Sequence, residues 1–453
     1  MEMENILNNK QELEKVDKLN LQAAEVRKTD AVLALELSKK AIDSAQSIEY
    51  KQGLAKANLN AGICCRLTSN FEAALQYYDE ALKLYKEIED KKGTSRTLNS
   101  IANVYLNLSN FPTAIEYFDE CIYILEKIGD IDFLATVLSN RGLTYQTYGD
   151  FSTALKNYLQ SLSIYVSEKK NIPYFLYNNI GIVYLEIENY YTALKYFNCA
   201  LKIEETEGKI LEESYTLANI GRTYVYMEDF SNAVTYLSEA MIIMKKYGDR
   251  QAESQVFSNL GKAYMKLRCH PEANKFLNRA LKYYREIGDR SSVAHTLCEL
   301  GELYFEFNDY KGSRSYFNES LTMSIEMKDD INEVRTYMGL ARLYIKFIDI
   351  DRAHHYLSKA IELAEKRQSY KELGRIYKLL YLGYKAVGKS TTAKKYLEKY
   401  NECFNKLMQF EEDNCLKTFT ANHDFKNNNI NAPTNNLHLK TSDKKAASKK
   451  QVA

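Results

Sequence analysis

Asn179-Ile180-Gly181-Ile182-Val183-Tyr184 decides the fold, because most of the chain repeats this stretch together with the helix-length segment after it. Ala193 comes twelve residues after Gly181, Phe197 four later and Ala200 three beyond that. Small residues at Gly181, Ala193 and Ala200 suit two helices that touch backbone to backbone, with Tyr184 and Phe197 filling the space between. The unit reads as a helical hairpin: a first helix ending near Glu188, a short turn, and a second helix from Tyr190.

The period follows from the Gly181 position, the glycine slot. Its equivalents are Gln22, Gly62, Ala102, Gly142, Gly221, Gly261, Gly301, Ala341 and Tyr381, spaced 40 residues apart except for one step of 39 between Gly142 and Gly181. The lost residue falls near Lys169–Pro173, in a loop, where a deletion costs little. Eight copies carry Tyr at the Tyr184 position: Tyr105, Tyr145, Tyr184, Tyr224, Tyr264, Tyr304, Tyr344 and Tyr384. The Ala193 position is Ala in nine copies and Ser313 in the other. A register held this long marks a repeat array whose units contact only their neighbours, so 453 residues need not mean several globular domains.

Net charge is +1, from 61 basic and 60 acidic residues, which leaves no overall field for nucleic acid or an anionic membrane. No apolar run approaches the roughly 20 residues that span a bilayer. The start, MEMENILNNK, has neither a basic segment nor an apolar run, so no signal peptide is expected and the chain reads as cytoplasmic. The eight cysteines form no CxxC pair and read as packed thiols. His270, His295, His354 and His355 lack a matching Cys or Asp set. No phosphate-cradling glycine loop, HExxH or nucleophile turn occurs, so no enzyme, metal or cofactor is expected.

In order, residues 1–17 read as a polar leader, 18–392 as about ten hairpins, 393–418 as a C-terminal capping helix and 419–453 as a disordered Asn- and Lys-rich tail. Gln22 and Glu25 make the first copy polar, as suits an end with one neighbour. Asn70, Asn110, Asp150, Asn189, Asp229, Asp309 and Asp349 stand where an N-cap would open each second helix. Pro112 and Pro271 fall in its first turn, where no amide hydrogen is needed. Between hairpins, Gly129-Asp130, Gly248-Asp249, Gly288-Asp289 and Lys328-Asp329 read as helix stops. In the capping helix Leu397, Tyr400, Phe404 and Leu407 are expected to face inward.

Gly, Tyr, Ala, aromatic and Ala at these offsets resemble the tetratricopeptide repeat over about 400 of the 453 residues. The 40-residue period is similar to the long-repeat branch of the Leu-Gly-Asn-repeat (partner of inscuteable) proteins and to bacterial sensory repeats. The resemblance implies an all-α, right-handed superhelical solenoid whose first helices line a concave groove. It also implies a non-catalytic scaffold that takes a peptide or helix of a partner protein. The alternative is a sensory module acting on a separate kinase, cyclase or transcription regulator.

Two residues before the glycine slot stand Asn60, Ser100, Asn140, Asn179, Asn219 and Asn259, with Asn178 beside Asn179. A column of Asn can satisfy both the N–H and C=O groups of an extended peptide, or it can bond neighbouring hairpins instead. A chaperone-type carboxylate clamp would resemble this arrangement. Asn103 and Asn140 fit it, but Asn99, Phe175 and Asn179 stand where its cations belong, so clamp binding is not expected. Positions just after the glycine slot add Arg222, Lys262 and Lys266, followed by Glu302 and Glu306. They suggest a groove that turns the negative end of a ligand toward Lys262. The tail lysines Lys444, Lys445, Lys449 and Lys450 read as a solvated end.

Overall fold

The computed structural model describes residues 2–367 and 369–406, within a compact unit running from Met1 to Met408. Gln409–Ala453, which holds the expected tail, and the end of the capping helix (407–418) lie outside the described residues. The helices come as hairpins: α1 (Glu2–Val26) with α2 (Ala31–Ser47), α3 (Lys51–Leu67) with α4 (Phe71–Glu87), α5 (Lys91–Asn107) with α6 (Phe111–Ile128), and α7 (Ile131–Tyr148) with α8 (Phe151–Ser167). The middle holds α9 (Tyr174–Glu186) with α10 (Tyr190–Glu207), α11 (Ile210–Tyr226) with α12 (Phe230–Tyr247), and α13 (Arg250–Lys266) with α14 (His270–Glu286). Then come α15 (Arg290–Glu306) with α16 (Tyr310–Met327), α17 (Asp330–Lys346) with α18 (Ile350–Lys366), and α19 (Tyr370–Ala386) with α20, described over 390–406. No strand occurs among the described residues. The fold is an all-α solenoid of successive hairpins. The segment expected as a leader is helical, and α1 runs through it into the first copy without a break.

The glycine slot is small because something sits on it. A methyl group added at Gly181 would lie 2.6 Å from Phe197 Cε1, and one at Gly62 would lie 2.4 Å from the corresponding atom of Tyr78. Tyr78, Phe118, Tyr158, Phe197, Leu237, Leu277, Phe317 and Leu357, sixteen residues after eight of the ten slots, are all fully buried. Through the first nine copies the Ala193 and Ala200 positions are also sealed. Where they carry a polar atom, it finds a carbonyl: Ser313 Oγ donates to Gly301 O at 2.8 Å, and Ser161 Oγ to Ala135 O at 2.7 Å.

The Tyr184 position does more than fill space. Six of the eight rings stack on an aromatic twelve residues later on the second helix: Tyr105 on Tyr117, Tyr184 on Tyr196, Tyr224 on Tyr236, Tyr264 on Phe276, Tyr344 on Tyr356 and Tyr384 on Tyr396. Their centroids are 5.5–5.6 Å apart and the rings nearly parallel. Each stacked pair adds about 0.5–1.5 kcal/mol beyond its buried area.

The turns obey the cap chemistry. Asn70, Asn110, Asp150, Asn189, Asp229, Asp309 and Asp349 each accept a hydrogen bond from the backbone N–H three residues on. Gly129, Gly248 and Gly288 take left-handed φ of 70°, 74° and 72°, which is why glycine stops those helices. The aspartates after them do a second job, since Asp130, Asp249 and Asp289 cap the next first helix.

Two places depart from the regular pattern. With Pro173 as its N-cap, α9 has 13 residues where other first helices of the array interior have 17 or 18, so the 39-residue step costs a helical turn. At the C-terminal end of α10, Glu204 is fully buried and accepts from Thr216 Oγ1 at 2.9 Å. Burial, with Glu212 and Glu213 nearby, pushes its carboxyl up to about 7. In α20, the sequence places Phe404 inside, but it is exposed, and the buried residue is Cys403, which packs into the core formed with α17, α18 and α19.

Overpacking the slot should show in stability. Gly221→Leu brings side-chain atoms into Leu237 Cγ, already 2.6 Å from the first added carbon, and should cost about 1–3 kcal/mol. A urea titration followed by circular dichroism reads it; an unchanged midpoint would mean the two helices do not meet at Gly221.

Candidate functional site

First helices pack on first helices of adjoining copies, as α1 does on α3, α15 on α17 and α17 on α19. Second helices do not pack on one another to a comparable degree among the described residues. The first-helix layer is therefore the tighter one and lies inside the curve of the array. Its open face is set by helical spacing: positions ten, six and two before the glycine slot, then one and five after it. On α9 these are Phe175, Asn179, Ile182 and Glu186; on α11 they are Tyr215, Asn219, Arg222 and Tyr226.

The structure distributes the Asn column between two roles. Asn60 is buried, donates to Asn20 O at 3.0 Å and accepts from Arg27 Nη1 at 3.2 Å, so it ties the first two hairpins together. Asn140 Nδ2 donates to Asn99 Oδ1 at 3.0 Å, and Asn219 Nδ2 to Asn178 Oδ1 at 3.1 Å, both across a seam between copies. Asn103 and Asn259 turn back on their own helices, to Asn99 O at 2.8 Å and Gln255 O at 3.2 Å. Asn179 is part-exposed on the face between them.

The cations are mostly engaged. Arg222 Nη2 meets Glu186 Oε1 at 2.7 Å. Lys262 Nζ lies 3.7 Å from Glu299 Oε1, which also faces His295 Nε2 at 3.2 Å, and Ser258 Oγ donates to Glu299 Oε2 at 3.0 Å. Burial alone would push the Glu299 carboxyl up, but His295, Lys262 and Ser258 outweigh it and hold the group at about 2. Arg335 reaches His295 Nδ1 at 2.7 Å, and Arg342 bridges Glu302 and Glu306. The negative end of a ligand would therefore compete with Glu299 for Lys262. Lys266 stays exposed. A further column, six before the glycine slot, includes Lys56, Arg96, Phe175, Tyr215, His295 and Arg335; the sequence singled out only Phe175 and His295 among them, and neither as part of a column. Its clue was available in the spacing: these positions stand four residues, about one helical turn, before the Asn column and so share its face.

A stacked hairpin array with an open inner face defines a repeat-type solenoid. The model of the Tetratricopeptide repeat family matches residues 93–165, 175–246 and 252–326. Over those residues the chain carries tetratricopeptide repeats. No curated protein matches its sequence significantly. Among solved structures, the apo form of the quorum sensor NprR from B. thuringiensis is similar at a TM-score of 0.60 and 16% identity, over 77% of this chain and 98% of that one. NprR in complex with its cognate peptide NprX gives 0.53 and 15%, over 78% and 99%. Aspartyl phosphate phosphatase F from Bacillus subtilis gives 0.51 and 16%, over 77% and 93%. At these identities the likeness is one of fold.

Glu299 joins side chains of two adjacent copies at one point, so its removal should be felt. Its folded value lies below the ordinary 4.5, so its contribution is full above that pH and is lost as pH falls toward about 2. Glu299→Gln should lower stability by about 1–3 kcal/mol at neutral pH. The gap to wild type should close on acidification, read by urea midpoints across pH; a gap that is the same at every pH would contradict the charge network.

Proposed function

We propose that this protein is a non-catalytic scaffold or receptor that holds an extended segment of a partner protein against its first-helix face. The observation that carries the reading is the middle of that face. Leu143 and Phe175 are exposed, Ile182 is half-buried, and the amides of Asn140, Asn178, Asn179 and Asn219 lie around them. Apolar rungs flanked by amides offer a peptide both side-chain contact and backbone hydrogen bonds. The surface is built before a ligand arrives, so the protein loses little entropy on binding. That a similarly folded sensor, NprR, has been solved with a cognate peptide favours the same use of the fold here. A sensory role acting on a separate output protein would use this face too. It differs in that addition of the ligand would change the output's activity.

The triple variant Asn179→Ala, Asn219→Ala, Asn259→Ala tests the reading. Affinity purification from the native cell, with mass spectrometry, should lose specific partners with little change in thermal melting. Partners retained, with melting lowered by several degrees, would return these residues to a purely structural role.

A further inference from the structure

The two helices that begin the regular array, α3 and α5, contain no Asp or Glu. They carry Lys51, Lys56, Arg66, Lys91, Lys92 and Arg96. The chain as a whole is balanced at +1, so this is segregation and not excess. The matching acids sit on the second helices: Glu72, Asp79, Glu80 and Glu87 on α4, and Glu116, Asp119, Glu120 and Glu126 on α6. Lys51 is taken by Glu87 at 3.2 Å. Lys56, Lys92 and Arg96 are exposed, lie on the open face of the first helices, and make no ion pair among the described residues. In the C-terminal half, cations of the same face, one position after the glycine slot, are neutralised across copies: Lys262 by Glu299 and Arg342 by Glu302.

The structure also shows the reach of these positions. Arg335 and His295 occupy the column six before the glycine slot in adjacent copies, and their side chains stand 2.7 Å apart. Lys56 and Arg96 occupy that column in copies two and three, so one carboxylate between them can touch both. Lys92 lies one helical turn from Arg96 on the same face. Next along the face, in copies four and five, come the exposed Leu143 and Phe175 with Ile182.

We propose that the strip formed by Lys56, Lys92 and Arg96 receives the acidic part of an extended peptide whose apolar residues lie on Leu143, Phe175 and Ile182. This rests on the peptide-binding reading above and adds the ligand's chemistry and register. Packed helices lie about 8–10 Å apart and an extended chain rises about 3.3 Å per residue, so adjacent copies are spanned by roughly three residues. The ligand's Asp or Glu residues should therefore fall about three to nine positions from its apolar ones. The chain's own C-terminal segment is a poor occupant, since Lys440, Lys444, Lys445, Lys449 and Lys450 would meet like charge. Nucleic acid fits less well than a peptide because the cations give way to aliphatic and aromatic rungs within two copies.

Phage-displayed random linear peptides of about twelve residues, panned on the full chain, test this. The same pool is panned on the Lys56→Glu, Lys92→Glu, Arg96→Glu triple variant, with circular dichroism melting to show that these exposed changes leave the fold intact. Wild type should enrich peptides with clustered Asp or Glu at the stated spacing from apolar residues. By fluorescence anisotropy they should bind the variant at least about tenfold more weakly, with the difference shrinking in high salt. Enriched peptides without acidic bias, or equal binding to the variant, would overturn this inference and leave the peptide-binding reading standing. No enrichment over an unrelated protein would overturn both. A labelled oligouridylate that binds wild type and not the variant, with no acidic peptides enriched, would replace the peptide by nucleic acid.

Discussion

The contact between the glycine slot and the large buried side chain sixteen residues later, present in eight of the ten copies, is the constraint on which the rest depends. Phe197 against Gly181 brings two backbones close enough to bury both helices along their length. That burial supplies most of the stability of a hairpin too small to stand alone. Where the slot is Ala, at Ala102 and Ala341, the facing Phe118 and Leu357 are still fully buried, so the crossing tolerates one methyl group. Once the crossing is fixed, the tyrosine pairs, the caps and the small residues have one register in which all are satisfied at once.

This seam also decides what the inner face can be. Because first helices touch first helices, side chains from adjacent copies meet in columns, and a column is a sequence of chemical choices along a surface. The chain makes different choices at the two ends. Toward the C-terminal half the columns pair off, with Glu299 held between Lys262 and His295 and Arg342 between Glu302 and Glu306. Toward the N-terminal half Lys56, Lys92 and Arg96 are left open beside apolar rungs. Closed ion-pair columns hold copies in register, while open ones leave charge for a visitor.

The period, the small-residue positions and the caps were legible in sequence because each is a local demand that recurs at a fixed interval. The second member of each aromatic pair, such as Tyr196 or Phe276, was not, because second helices carry several aromatics and only packing selects the one that stacks. The loss of a turn from α9 was readable as one missing residue but not as a helix shortened behind Pro173. At the site, the open columns could be placed by helical spacing. The pairing of Lys262 with Glu299, or Asn60 with Asn20, required knowing which neighbour each side chain meets across the seam.

Peptide-resolved hydrogen exchange on Phe197→Ala tests the central contact most directly. Removing the ring should leave a cavity at Gly181 and speed exchange in α9 and α10 and in their neighbours α8 and α11, while α3 and α4 and α17 and α18 keep wild-type rates. Exchange unchanged around Gly181 would contradict the account, as would an equal rise along the whole array.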